Sequence, residues 1–132
     1  MQLKLMIPML NVSNIRHSLE FYQRALGFEV VSDPAAVDQW QWATIRSGET
    51  EIMLSQTESA GQLKSGIDPQ QCTDWPTIFY FYPDDVAALY QHICAEGYQP
   101  TDLVDTHYGM REFSLQDPDG HMLSFGEALN RA

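Results

Sequence analysis

Apolar and polar positions alternate along the chain in two recurring rhythms. Leu3, Leu5, Met6, Ile7, Met9, Leu10 and Val12 crowd residues 3–12 into an apolar run of strand length. Pro8 has no N–H to give a ladder, which places that strand at a sheet edge or in an irregular pairing. Ser13 and Asn14 supply capping chemistry, and Ile15, Leu19, Tyr22 and Leu26 then follow as one apolar stripe of a helix. Gly27 is placed to end it with a left-handed residue. Strand patterns come next at Phe28–Ser32, Trp40–Arg46 and Glu51–Gln56, the last two joined by a hairpin turn at Ser47-Gly48-Glu49-Thr50.

From Gln56 to Cys72 the chain is polar, holds Gly61, Gly66 and Pro69, and reads as a linker loop. The order then repeats. Thr77–Tyr82 is an aromatic-rich strand, and Asp84 and Asp85 open a helix with Val86, Leu89, Tyr90 and Ile93 on its inner face. Gly97 ends that helix, and strands follow near Thr101–Asp105, Arg111–Gln116 and His121–Phe125. The last two are joined by Asp117-Pro118-Asp119-Gly120, a strong turn signal. A constant offset of 71 lays Ile7 on Ile78, Ile15 on Val86, Tyr22 on Ile93 and Met53 on Ser124. The prediction is an α+β chain of two βαβββ modules, 1–57 and 75–127, joined by a linker loop at 58–74 and ending in a tail at 128–132. A unit that cannot cover its own sheet face needs a second one.

Composition narrows the possible partners. At 132 residues, 44% apolar and 19% charged, the chain is of globular type and of single-domain size. The 18 acidic residues against 7 basic give a formal charge of −11, which disfavours nucleic acid and anionic membrane surfaces. No apolar run approaches the roughly 20 residues of a membrane span, and the start lacks the pattern of a signal peptide, so a cytoplasmic location is expected. Cys72 and Cys94 have no paired spacing, which excludes a disulfide scaffold or zinc ribbon.

Four motifs carry a family likeness: Pro8-Met9-Leu10-x-Val12, Ser18-x-x-Phe21-Tyr22, Leu26-Gly27-Phe28, and the run Arg111-Glu112-Phe113-x-Leu115-x-Asp117-Pro118-Asp119-Gly120. From Leu3 to about Glu127 the chain resembles the vicinal oxygen chelate superfamily, which holds glyoxalase I, extradiol dioxygenases, fosfomycin-resistance enzymes and bleomycin-resistance proteins. The resemblance implies the glyoxalase/bleomycin-resistance fold, with curved mixed sheets around a cleft, and a homodimer. It does not fix the reaction, because one scaffold hosts many chemistries.

The enzymes of that superfamily place His, Glu or Gln metal ligands at four inward strand positions. The resemblance puts those positions at Ile7, Met53, Ile78 and Ser124, which offer two aliphatic groups, a thioether and a hydroxyl. Zinc, iron, manganese and nickel need imidazole, carboxylate or thiolate donors. A slip of one residue brings in only Met6 or Pro8, Ile52 or Leu54, Thr77 or Phe79, and Leu123 or Phe125. No metal and no cofactor are therefore expected. His17 and His92 fall within helices, His121 follows the last turn, and His107 lies in a loop beside Tyr108-Gly109; no pair has a metal-motif spacing. Neither cysteine carries a signature of activation, so no catalytic residue is assigned.

Strand alternation then lines the cleft. Residues sharing parity with the four aligned positions include Leu5, Met9 and Asn11, then Glu51 and Ser55, then Tyr80 and Tyr82, and Met122 and Gly126. Phe79, Phe81, Leu54, Leu123 and Phe125 fall against the helices. Trp40 and Trp42 share a face of their strand, and Tyr108 and Met110 approach the rim. The expected ligand-binding set is Met9, Trp40, Trp42, Glu51, Met53, Tyr80, Tyr82, Tyr108, Met110 and Glu112, with Glu51 and Glu112 as partners for ligand cations. Such a lining suits a bulky aromatic, cationic small molecule, held by stacking and cation–π attraction without chemistry. The alternative is a diverged lyase, isomerase or dioxygenase-like enzyme with an unconventional site, such as Glu51 with His107 as an acid–base pair.

Overall fold

The computed structural model describes residues 1–58, 60 and 75–129. The chain divides into two compact units, Met1–Gln62 and Leu63–Ala132. The linker expected at 58–74 lies almost wholly outside the described residues, as does the tail beyond Leu129.

Unit 1 is built from β1 (Met9–Val12), α1 (Ile15–Leu26), β2 (Glu29–Val30), α2 (Pro34–Trp40), β3 (Trp42–Ser47) and β4 (Thr50–Gln56). Its sheet runs β1-β4-β3-β2, with β1 parallel to β4 and the other pairs antiparallel. Leu10, Val12, Ala43, Ile45, Ile52 and Leu54 are buried on one face together with Ile15, Leu19 and Tyr22 of α1. Period-2 strands thus meet a period-3.6 helix along one apolar seam. Gly27 takes φ 72° at the end of α1, as its position after the stripe predicts.

Two expectations need correction in this unit. The first strand is shorter than residues 3–12: only Met9–Val12 join the ladder, and Leu3, Leu5 and Met6 are exposed. Pro8 still offers its carbonyl to the Met53 N–H at 2.9 Å but has no donor of its own to extend the pairing. Second, Trp40 is not a strand residue. Asp33 caps a short helix by accepting from Ala35 N–H, Pro34 opens it with its φ already set, and Gln41 reverses the chain at φ 52°. Module 1 therefore carries an extra helix between its second and third strands.

Unit 2 holds β5 (Ile78–Phe81), α3 (Val86–Ala95), β6 (Val104–Asp105), β7 (Met110–Gln116) and β8 (Met122–Ala128). Its sheet order, β5-β8-β7-β6, reproduces that of unit 1. Phe113, Leu115, Leu123 and Phe125 are buried on the helix face, where Phe113 and Phe125 stack at 4.9 Å and Tyr90 of α3 meets Phe113 edge-on at 5.3 Å. Asp117 forms the turn before β8: its carboxylate accepts from the N–H groups of Asp119 and His121. The last strand runs to Ala128, one residue past the expected end of the module, and β5 stops at Phe81, leaving Tyr82 beyond it.

The 71-residue repeat survives in atomic detail. Met9 pairs with Met53 as Tyr80 pairs with Ser124. Asn14 caps α1 by accepting from His17 N–H, and Asp85 caps α3 by accepting from Ala88 N–H. Gln56 reaches from β4 to the first N–H of α1 at Ile15, and Glu127 reaches from β8 to the first N–H of α3 at Val86. Each pair differs by 71 in number. Among the described residues no helix is long and apolar enough to cross a membrane.

Candidate functional site

The chemistry of unit 2 gathers on the sheet face opposite α3. The register sets Tyr80 beside Ser124, Ser124 beside Ser114, and Gly126 beside Glu112. These residues alternate with the buried phenylalanines and so point the other way. Tyr80, Glu112, Ser114 and Ser124 border a cavity of about 380 Å³, which Tyr108 and Asp102 also line. That volume falls within the roughly 300–1,000 Å³ of small-molecule sites. At its base the Ser114 and Ser124 hydroxyls lie 2.8 Å apart and hydrogen-bond each other, so these buried polar groups are paired.

Glu112 organises the polar side of the cavity. Tyr80 Oη donates to Glu112 Oε2 at 2.5 Å, and Tyr108 Oη donates to Glu112 Oε1. Burial, and then the hydrogen bond and negative charge of Glu112, push the Tyr80 phenol well above the ordinary tyrosine range. Tyr80 therefore stays a neutral donor at any physiological pH. Tyr82, exposed beyond the end of β5, sets its ring 5.0 Å from that of Tyr80 at 31°. The result is a carboxylate fenced by phenols, with aromatic faces beside it.

Most of the expected unit 2 residues therefore come together: Tyr80, Tyr108 and Glu112 line one cavity, and Tyr82 flanks it. Met110 opens β7 on the same parity as Glu112 but is not part of the cavity lining. Thr101, Asp102, Val104 and Ser114 line the cavity and were not singled out from sequence. Ser114 was legible, since it sits two residues from Glu112 on one strand face. Asp102 precedes β6, outside any strand, where parity gives no guide.

In unit 1, Met9, Trp42, Glu51 and Met53 share the face away from α1, through the pairs Met9–Met53 and Trp42–Ser55. Trp40 does not share it by strand parity; it ends α2 and is 69% exposed. Glu51 is also less available than expected, because Arg46, opposite it in the hairpin, holds its carboxylate at 3.1 Å. His107 is exposed and sits edge-on to Tyr108 at 5.1 Å.

The residues present do not fit the superfamily's metal. Ile7 and Ile78 offer no donor atom, Met53 offers a thioether, and the Ser124 hydroxyl is bonded to Ser114. Among the described residues no group of three or more His, Cys, Asp or Glu could hold a metal ion. Cys94 is exposed on α3, and Cys72 lies outside the described residues.

Comparison with known proteins places these features in context. A family model described as glyoxalase/bleomycin resistance protein/dioxygenase superfamily matches residues 4–125. Bleomycin resistance proteins of Geobacillus stearothermophilus and Staphylococcus aureus are 28% identical over 131 residues, covering 93% of this chain and 96% of theirs. Among solved structures, TioX from Micromonospora sp. ML1 superposes with a TM-score of 0.73 at 18% identity, over 94% of this chain and 98% of that one. A bleomycin-binding protein solved with bleomycin gives 0.67 at 20% identity, over 98% of this chain and all of its own. A bleomycin resistance determinant encoded on transposon Tn5 gives 0.68 at 20% identity, over 96% and 98%. At these identities the structural likeness shows the fold.

Proposed function

The chain belongs to the glyoxalase/bleomycin resistance protein/dioxygenase superfamily, and from that membership we propose that it is a binding protein of the bleomycin-resistance type. It sequesters a bulky, aromatic, cationic small molecule without transforming it, and does so in the cytoplasm without a metal. One observation carries this reading: three phenols gather around the Glu112 carboxylate beside a cavity of about 380 Å³ that Asp102 also lines. A carboxylate bordered by aromatic faces, with both oxygens already accepting phenol protons, attracts an organic cation through its field and through cation–π contact of about 0.5–2 kcal/mol. It is a poor holder of a divalent ion, which asks for several donors. The overall charge of −11 adds a field that concentrates cations near the surface.

Titrating the protein with bleomycin and a panel of planar cationic drugs, followed by tryptophan fluorescence and calorimetry, tests the reading. Saturable binding of at least one compound, recovered chemically unchanged, is expected. No saturable signal across the panel, or a stoichiometric metal in protein purified without chelator, would sink it.

The chain is further proposed to work as a homodimer. Leu3, Leu5, Met6 and Met9 leave a run of large apolar side chains exposed in unit 1, and exposed apolar surface of this kind favours association. Light scattering coupled to size exclusion is expected to give twice the chain mass.

A further inference from the structure

Gly126 occupies the interior of a seven-residue strand, where glycine costs about 0.5–1 kcal/mol relative to alanine. Its backbone gives no reason for the choice. Gly27, Gly48, Gly97, Gly109 and Gly120 take positive φ, whereas Gly126 does not. The reason is space. A Cβ at 126 would stand 2.7 Å from Cζ of Tyr80 and closer still to its hydroxyl. Tyr80 belongs to β5 and Glu112 to β7, with β8 lying between them, a span of about 10 Å at the usual strand spacing. Tyr80 pairs with Ser124 and Glu112 with Gly126, so the phenol runs diagonally over β8 through the gap that Gly126 leaves.

We infer that Gly126 is a positioning residue of the ligand pocket, and that the aromatic platform it permits selects flat cations with delocalised charge over compact ammonium ions. This deepens the binding function proposed above and rests on it. By crossing Gly126, Tyr80 spends the edge of its ring on the hydrogen bond to Glu112 and keeps ring surface for stacking beside Tyr82. Both Glu112 oxygens already accept a phenol proton, which leaves fewer lone-pair directions for the three N–H groups of an ammonium. An amidinium or guanidinium carries more N–H groups, but its spread charge is more weakly hydrated, so leaving some of them unpaired costs it less. It gains from stacking while its spread charge lies beside the carboxylate.

Three probes decide the matter: the flat bis-amidine 4′,6-diamidino-2-phenylindole, its uncharged parent 2-phenylindole, and hexylamine. Wild-type protein is expected to bind the bis-amidine at least tenfold more tightly than either other probe. Gly126→Ala, which meets no backbone strain, is expected to lose about tenfold of that affinity. In a Tyr80→Ala background, Gly126→Ala should cost nothing further, because the group it displaces is gone. Equal losses in both backgrounds would mean a general disturbance of the sheet and would overturn the positioning role, as would a Gly126→Ala protein that binds like wild type. Alkaline absorbance titration, differenced against Tyr80→Phe, reads the contact without any ligand. The Tyr80 phenol should fall back toward the ordinary tyrosine range in Gly126→Ala, and an unchanged titration would also overturn the role. Failure of every probe to bind wild type would instead remove the binding reading and the selectivity with it, while the titration still decides whether Gly126 seats Tyr80.

Discussion

At four equivalent positions on the sheet face away from its helix, unit 1 carries Met9, Met53, Trp42 and Ser55, whereas unit 2 carries Tyr80, Ser124, Glu112 and Gly126. The ladders, the caps and the strand order are shared, so the backbone places the same patch twice. In unit 1 the patch is a thioether pair beside an indole, and the nearby carboxylate, Glu51, is neutralised by Arg46. In unit 2 it is a charged carboxylate held by phenols, with no side chain at 126 to block them. A duplicated frame has thus separated a greasy surface from an electrostatic one.

The largest test of that separation lies in the shared frame. Tyr22 of α1 is fully buried, with its ring edge-on to Phe21 at 5.1 Å and to Phe28 at 5.7 Å, and its equivalent in α3 is the buried Ile93. Tyr22→Ala is expected to cost about 3–5 kcal/mol in urea unfolding, the usual range for aromatic truncation in a core. Tyr22→Ile, which writes the residue of unit 2 into unit 1, is expected to recover part of it. A cost below about 1.5 kcal/mol would mean that the two helices do not anchor their sheets in the same way.

How far the sequence foretold this arrangement depends on distance along the chain. Apolar periodicity within ten or fifteen residues located both long helices and assigned the correct face to Met9, Met53, Tyr80 and Ser124, because parity along a strand is a local property. It misplaced Trp40, since tryptophans two apart mimic strand alternation, although Asp33-Pro34 was a readable helix start. The Arg46–Glu51 pair was also within reach: a hairpin turn at 47–50 makes those two residues neighbours across strands. The passage of Tyr80 over Gly126 was out of reach. It depends on the register of three strands and on a contact between Tyr80 and Glu112, 32 residues apart, and no local pattern encodes it.

The next contrast concerns the two carboxylates. Glu112→Gln keeps the size and one of the two oxygens that accept a phenol proton but removes the charge, and is expected to weaken binding of a cationic ligand about tenfold, in line with the 1.5–3 kcal/mol range of hydrogen bonds to charged groups. Glu51→Gln should weaken it by about threefold or less, since Arg46 already offsets that charge and exposed ion pairs are worth about 0–1 kcal/mol. Calorimetry at constant pH and ionic strength separates the two. Equal losses would erase the distinction between a neutralised patch and a charged one.

The smallest contrast lies at the helix starts. Gln56 and Glu127 fill one role at equivalent positions, each accepting from the first N–H of its helix, but only Glu127 brings a charge to the positive end of the helix dipole. Glu127→Gln, which makes unit 2 resemble unit 1, is expected to cost about 0.3–1 kcal/mol at low salt and less as salt rises. Arg111 also feels the Glu127 charge, yet its guanidinium is fixed by Asp105 at 2.7 Å, so little of the loss should come from that side. The reciprocal change, Gln56→Glu, should stabilise by a similar amount in unit 1, where the acceptor position is already occupied and only charge is added. If both substitutions prove neutral at low salt, the two reaching side chains act as hydrogen-bond acceptors alone.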